Sequence, residues 1–574
     1  MSLPVFRRSL IAAAMLLAAC TTAERQPETV ASVAPPPVPP AEEAQSQPQP
    51  SPMPADAQRM KQAIVSQSAH ARAAAPLAYG GAAMAESYYL PPPPPDRENY
   101  QAPEQNPVRL AAEQPVSTFS IDVDTGSYSN TRRILGEGRL PPADAVRVEE
   151  FINAFDYGDA PSRSTDVPFA VHTEIAPTPW NGKTRLLRIA LKGYRPGGPL
   201  PPSNLVFLVD VSGSMDEPNK LPLVKSSLKL LARNLTARDR ISLVTYAGGT
   251  QIVLEPTAGD QTATIEQAID RLQAGGGTAG AAGIQLAYQQ AEKAYIKGGN
   301  NRILLATDGD FNVGITRFES LLDLIKDKRK TGIALTTLGY GGGNYNDHLM
   351  EQAADAGDGN HAYIDSLREA QKVLVAQRDA TLLTIARDVK VQIEFNPARV
   401  REYRLIGYEN RALAREDFNN DQVDAGDIGA GLGVTALYEI ALTGEGGERV
   451  EPLRYGKPLA SAQRGDELAY VRLRYKRPDE AQSRLTEQPV RLADARASLA
   501  AASPAMRLSA AVAAFGERLR GGRYMEGYGY PQIGGLARGA SAADAGGDLG
   551  EFLQLVGLAE GLSSRSPGAS TGSD

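Results

Sequence analysis

The sequence predicts an α/β doubly wound parallel sheet at the centre of the chain, with β-rich regions flanking it on the N- and C-terminal sides. Three observations carry this. Between residues 205 and 338, short apolar runs alternate with segments of helical periodicity, the pattern of a parallel sheet covered by helices on both faces. After Asp388 the period shortens toward two, with Val389, Val391, Ile393 and Phe395 separated by polar residues. A length of 574 residues exceeds one ordinary domain, and 42% hydrophobic residues suffice for several cores.

Taken in order, Val146, Val148, Phe151, Ile152 and Phe155 follow helical spacing behind Asp144, the expected N-cap. Residues 169–175 and 186–191 read as strands. The run Leu205-Val206-Phe207-Leu208-Val209 is apolar throughout, as a fully buried strand requires. Helical spacing then covers 223–235, 265–272, 284–296 and 318–330, and strand character covers 241–246, 303–306 and 333–338. Residues 468–473 return to a period near two, and helical patterns close the chain at 505–519 and 552–562. The strands at 169–191 and 389–440 are expected to pair in one β-rich domain into which the α/β domain is inserted. There is no internal repeat.

Composition removes several functions. A net charge of −7 favours no nucleic-acid partner, and one cysteine with four histidines argues against a disulfide scaffold, a cysteine zinc site or a Cys/His nucleophile pair. Arg7 and Arg8 precede an apolar run over 10–17, too short to span a membrane, so 1–19 reads as a signal peptide. Leu17-Ala18-Ala19-Cys20 resembles the bacterial lipobox, which implies a diacylglycerol thioether on Cys20, cleavage before it and N-acylation. Several acyl chains anchor firmly, where a single myristoyl chain does not. Thr21, rather than Asp, after the cysteine resembles the outer-membrane signal of Gram-negative lipoproteins. The implied location is the cell envelope, on the outer membrane, facing the periplasm or the surface. Of 41 prolines, 16 lie between Thr21 and Pro95, so 20–95 is expected to be a disordered, extended tether.

The chemistry concentrates at strand ends. The apolar strand runs directly into Asp210-Val211-Ser212-Gly213-Ser214, at the carboxyl edge of the sheet where ligand sites form. Gly275-Gly276-Gly277-Thr278 is a flexible loop presenting a hydroxyl, and the strand over 303–306 ends in Thr307-Asp308-Gly309-Asp310. Asp210, Ser212, Ser214, Thr278 and Asp308 are hard oxygen donors without sulfur or imidazole, a set suited to Mg²⁺, Mn²⁺ or Ca²⁺ rather than Zn²⁺.

These five residues resemble all five positions of the metal-ion-dependent adhesion site (MIDAS) of von Willebrand factor A (VWA) domains. The resemblance implies that Ser212, Ser214 and Thr278 coordinate the metal directly or nearly so. Asp210 and Asp308 would act largely through waters and orient the hydroxyls. A protein partner would supply a Glu or Asp carboxylate at the remaining position. Thr118-Phe119-Ser120-Ile121-Asp122-Val123-Asp124-Thr125, Leu140-Pro141-Pro142, residues 306–314, Gly407-Tyr408-Glu409-Asn410 and Val434-Thr435-Ala436-Leu437-Tyr438-Glu439 are similar to bacterial YfbK-type VWA lipoproteins, over about 99–562. The expected organisation is a family N-terminal region (96–200), a VWA domain (201–370), a C-terminal region first β-rich and then helical (371–562) and a flexible tail (563–574).

Other motifs weigh less. Asp124-Thr125-Gly126-Ser127 looks like an aspartic-protease loop, but there is no second Asp-Thr-Gly to share a proton. Gly568-Ala569-Ser570-Thr571-Gly572 fits a nucleophile elbow without its strand or helix. Gly275, Gly277 and Gly280 fit a dinucleotide fingerprint, yet a helix precedes them where a strand is required. Asp417, Asn419, Asp421, Asp424 and Asp427 form an acidic cluster that lacks the EF-hand Gly and Glu, since Gln422 and Ile428 stand there; a solvated loop is the favoured reading, with a loose Ca²⁺ site as the alternative. His70, His172, His348 and His361 show no metal spacing. The expected function is therefore a non-enzymatic, lipid-anchored envelope protein that binds a protein partner through a divalent metal. The alternatives are an envelope assembly or stress-response scaffold with a structural metal, and a metal-dependent hydrolase, which the absence of an adjacent base such as His disfavours.

Overall fold

The computed structural model describes residues 97–100, 104–164, 166–309, 318–451 and 465–565. The signal peptide, Cys20, the tether, Asp310 and the tail from residue 566, with its Gly-x-Ser-x-Gly run, lie outside the described residues; residues 563–565, expected in the flexible tail, continue helix Leu549–Arg565. Four strands precede the α/β domain: β1 (Arg109–Leu110), β2 (Val116–Ser120), β3 (Phe169–Pro177) and β4 (Arg185–Gly193). The domain itself holds β5 (Ser203–Asp210), β6 (Arg240–Tyr246), β7 (Thr250–Ala258), β8 (Asn300–Thr307), β9 (Ala334–Gly339) and β10 (His361–Tyr363). After it come β11 (Thr384–Phe395), β12 (Val400–Ile406), β13 (Ile428–Gly429), β14 (Gly433–Leu442), β15 (Glu467–Lys476) and β16 (Arg484–Arg491).

The central sheet runs β10-β9-β8-β5-β6-β7, and every pair is parallel except β6 with β7 at the edge. Apolar side chains of β5 alternate between two helical layers. Phe207 and Val209 pack with Val224 and Leu228 of helix Leu221–Ala232 and with Ile265 and Ile269 of helix Thr262–Asp270. Val206 and Leu208 pack with Ile284 and Tyr288 of helix Gly280–Lys293 and with Leu321 and Ile325 of helix Phe318–Arg329. Each fully buried chain of this kind contributes about 1.5–3 kcal/mol, and from Leu205 to Val209 the strand is apolar throughout. The sequence pattern missed β7, a solvent-facing edge strand, and β10, which is three residues long.

The flanking regions form two sheets around a shared core that includes Phe119, Ile189, Val391, Tyr438 and Val471. One sheet is β1-β12-β14-β4-β3. Here β4, before the α/β domain, pairs antiparallel with β14, after it, from Lys192 opposite Gly433 to Arg185 opposite Ile440. The Val389 strand does not join them, as the sequence had suggested. It lies in the second sheet, β13-β11-β15-β16, where β2 pairs with β11 and sets Phe119 opposite Val391. Each sheet thus joins strands from both sides of the insertion.

A helical layer covers the first sheet's other face, so β4 is buried on both sides: Leu187, Ile189 and Leu191 enter the shared core, while Leu186 meets helices Val148–Asn153, Pro504–Leu519 and Leu549–Arg565. Helix Pro504–Leu519 starts at Ser503, whose Oγ accepts from the Met506 N–H at 3.0 Å, with Pro504 supplying the fixed φ of a first turn. Arg404 of β12 ties this helix to the sheet, 3.3 Å from Glu517 and 3.4 Å from Glu439. The expected cap at Asp144 is corrected. Asp144 sits in a short 3₁₀ turn, Ala143–Ala145, and the helix begins at Val148 behind Arg147, whose side chain instead reaches the acids Glu150 and Asp347.

Candidate metal centre

Two neighbouring parallel strands, β5 and β8, deliver the two acids to the carboxyl edge of the central sheet. Asp210 is the last residue of β5 and Asp308 follows β8; both are fully buried. The Asp210 carboxylate accepts from the Ser212 N–H at 2.8 Å and from the Thr307 hydroxyl at 2.9 Å. Thr307 also accepts from the Gly309 N–H at 3.1 Å, which fixes the turn into Asp308. The Ser212 and Ser214 hydroxyls lie 3.1 Å apart. Ser212 is buried and Ser214 half-buried.

The glycine-rich loop is fastened to the same turn. Gly213 N–H donates to the Gly276 carbonyl at 3.1 Å, and Gly275 N–H donates to the Val211 carbonyl at 2.8 Å. Gly276 takes a left-handed φ of 87°, which brings its backbone against Gly248. Thr278 follows, buried, and Ala279 N–H closes the loop on the Ala247 carbonyl at 2.7 Å. The three segments singled out in the sequence are thus gathered at one edge.

Burial pushes the Asp210 carboxyl up to about 6; the nearby Asp308 charge adds to this, and the bonds from Ser212 and Thr307 oppose it. Asp308 meets one cation and one amide that the sequence did not point to. Lys220, itself buried, places Nζ 3.2 Å from Asp308 Oδ2, and Asn344 Nδ2 donates to the same oxygen at 2.9 Å. Lys220 Nζ also donates to Asn344 Oδ1 at 3.0 Å. Gly341 makes room for this arm, because a Cβ there would fall 2.4 Å from Lys220 Cε. Lys220 stands at the mouth of helix Leu221–Ala232, ten residues past Asp210, and nothing in its spacing distinguishes it from a surface lysine.

Two buried carboxylates, two adjacent hydroxyls and Thr278 make a hard oxygen set that fits a small divalent cation. When bound, such a cation supplies an electrophilic centre that an incoming carboxylate can neutralise. Among the described residues, no group of three or more His, Cys, Asp or Glu side chains is placed to hold a metal by itself; at this edge hydroxyls would complete the set.

The remaining motifs have structural duties. Asp124 accepts from the His361 N–H at 2.8 Å and faces Arg411 at 3.4 Å, while Gly126 opens a helix, so the Asp-Thr-Gly run is a structural turn. The acidic cluster meets its own cations: Asp421 pairs with Arg474 at 3.0 Å, Asp424 with Arg329 at 2.7 Å, and Lys390 donates to the Asp417 and Asn420 carbonyls. His361 is buried between Thr337 and Tyr345, and His172 Nε2 lies 2.8 Å from the Ala160 carbonyl.

Comparison with known proteins matches the architecture. The von Willebrand factor type A domain model covers residues 204–377, a von Willebrand factor model covers 94–188, and the model for the C-terminal part of "Uncharacterized protein YfbK" covers 380–562. YfbK of Escherichia coli K12 is 49% identical over 472 residues, 81% of each chain. The chain belongs to the YfbK family. Relatives over shorter stretches include sll0103 of Synechocystis, 35% identical over 29% of this chain and 39% of its own. The 60 kDa subunit of the Rhodobacter capsulatus magnesium chelatase is more distant, 37% identical over 19% of this chain and 20% of its own. Among solved structures, a von Willebrand factor type A protein from Catenulispora acidiphila covers 67% of the YfbK-family chain and 89% of its own at 17% identity, with a TM-score of 0.38. The ArnB paralog VWA2 from Sulfolobus acidocaldarius covers 69% and 98% at 15% identity, with a TM-score of 0.34.

Proposed function

We propose that this YfbK-family chain is a lipid-anchored protein of the Gram-negative envelope, held to the outer membrane through Cys20, that captures a protein partner through a divalent metal at Asp210, Ser212, Ser214, Thr278 and Asp308. Mg²⁺ is the metal the set suits best, with Mn²⁺ and Ca²⁺ as substitutes. The observation that carries this reading is the convergence of three separated segments on one sheet edge, with two buried carboxylates and the Ser212–Ser214 hydroxyl pair. The partner contributes a Glu or Asp side chain. No catalytic residue is assigned; the reading is of a place to bind.

A second reading has one observation in its favour. Lys220 already sets a positive charge against Asp308 at 3.2 Å, so the edge has some internal neutralisation, and an assembly scaffold with a merely structural metal would make use of it. Calorimetric titration of Mg²⁺, Mn²⁺ and Ca²⁺, followed by metal-dependent partner capture, separates the two. The adhesive reading requires one saturable site lost in Asp210→Ala, and capture lost in Ser212→Ala and Thr278→Ala while the fold survives. Capture that persists in both variants supports the scaffold.

A further inference from the structure

At the opposite edge of the central sheet lies a cavity of about 330 Å³ that the metal centre does not use. Its walls come from the starts of β8 and β9 and from the two chain crossings between the VWA domain and the flanking sheets, at Pro201 and at Leu382, Leu383 and Thr384. Three arginines line it, Arg302, Arg329 and Arg387, with Asn300 beside them. Arg329 is engaged by Asp358 at 2.6 Å and Asp424 at 2.7 Å. The other two have no carboxylate at ion-pair distance among the described residues. Arg302 is 2% exposed, and its one described hydrogen bond runs from Nη1 to the Thr336 hydroxyl at 2.6 Å. Arg387 donates to the Glu480 carbonyl at 3.3 Å.

The imbalance is chemical as well as electrostatic. Arg302 Nε, Arg387 Nε and Asn300 Nδ2 are buried without a hydrogen-bond acceptor, and the lining contains no buried acceptor in the same state. An unpaired buried guanidinium is costly, and natural structures answer such a charge with a carboxylate or phosphate. We propose that this cavity is a binding site for a small oxyanion, a carboxylate or a phosphate, which the unpaired Arg302 and Arg387 hold between the inserted VWA domain and the β-rich domain. The volume lies in the range of small-molecule sites rather than that of a trapped water. Asp427 also lines the cavity. Its Oδ1 accepts from the Asp388 N–H at 3.2 Å; burial and the neighbouring Asp358 and Asp388 charges hold its carboxyl well above the usual range, and Arg387 opposes them.

The test uses the full chain in chloride-free buffer at neutral pH, titrated calorimetrically with inorganic phosphate, succinate and citrate. The expected result is saturable binding of at least one of them, weakened about tenfold or more in Arg302→Met and Arg387→Gln and unchanged in Asp210→Ala at the far edge. A phosphate response without a carboxylate response, or the reverse, identifies the class. Arg387→Gln alters a half-buried side chain and decides the matter if Arg302→Met does not fold. Absence of saturable binding by all three anions, or binding that Arg387→Gln leaves intact, overturns the proposal and leaves a hydrated interdomain cavity.

Discussion

Replacing Lys220 by Met tests the electrostatics of the metal centre from the inside. Lys220 Nζ and Asp308 Oδ2 are 3.2 Å apart, and both side chains are buried, at 2% and 0% exposure. At an effective dielectric constant near 20, their attraction is about 5 kcal/mol. Methionine removes it but also relieves the desolvated ammonium, and Asn344 still donates to Asp308. The net loss in chelator is then about 3 kcal/mol, the low end for breaking a buried pair. A divalent cation at the same edge neutralises the stranded Asp308, so saturating metal returns most of that loss. By linkage, the returned energy appears as tighter binding, and about 3 kcal/mol corresponds to about a hundredfold in Kd.

Urea denaturation of both proteins in EDTA and in about 10 mM Mg²⁺, together with calorimetric Kd values, reads both quantities. The expected outcome is a less stable chelated variant whose deficit shrinks with metal and whose Kd falls at least tenfold. An unchanged or weaker Kd, or a deficit equally large at saturating metal, would refute the reasoning, because Lys220 and the metal would then not be serving the same carboxylate.

Further outcomes follow from other buried groups. The carboxyl of Glu149 is pushed up to about 7 by burial, with the Glu409 and Asp122 charges adding to it. Because its folded value lies above its unfolded one, this group loses stability as pH rises from about 4.5 through 7; Glu149→Gln is therefore expected to gain about 2–3 kcal/mol on wild type between pH 5 and pH 8 in denaturant melts. Arg404→Met strands Glu517, while Glu439 keeps Arg449 at 3.7 Å and the Trp180 and Thr184 donors; it is expected to cost about 3 kcal/mol in urea, more than Glu517→Gln. Gly359→Ala sets a Cβ 1.9 Å from the Leu335 carbonyl oxygen, a clash with backbone rather than with a movable side chain, and is expected to lower stability by about 3 kcal/mol by thermal melting.

What the sequence revealed follows from which forces act locally. The apolar run of β5 must be buried on both faces, so its pattern announced a covered parallel sheet, and the residue that ends it, Asp210, announced a site. The five candidate ligands were legible because each sits at a strand end or in a glycine loop, where local chain chemistry determines position. Lys220 was not, since its role depends on a fold that carries it across Gly341 to Asp308. β7 and β10 were missed for a related reason: an edge strand facing water and a three-residue strand have no periodicity of their own and exist through their neighbours. The start of helix Val148–Asn153 was misplaced because the preference of Asp144 for capping is overridden where Arg147 is drawn into a buried set of acids.

The two ends of the central sheet carry opposite chemistry, and the topology explains why. At the carboxyl edge, the ends of β5 and β8 present the carboxylates of Asp210 and Asp308, the second facing Lys220. At the other edge, the chain enters at Pro201 and leaves at Thr384, so that edge is committed to the flanking sheets and is walled on both sides. Under the proposed function the protein partner would meet the first edge, and only a small ligand fits the second. An anion held by Arg302, from β8, and Arg387, from β11, would touch both the VWA domain and the sheet that contains β2. Its binding would therefore stabilise the domain junction, whereas metal binding would stabilise the strand-end turns. Additive ΔΔG values for Arg387→Gln and Asp210→Ala are expected if the two edges act independently. A coupling above about 0.5 kcal/mol would show that the sheet transmits occupancy from one edge to the other.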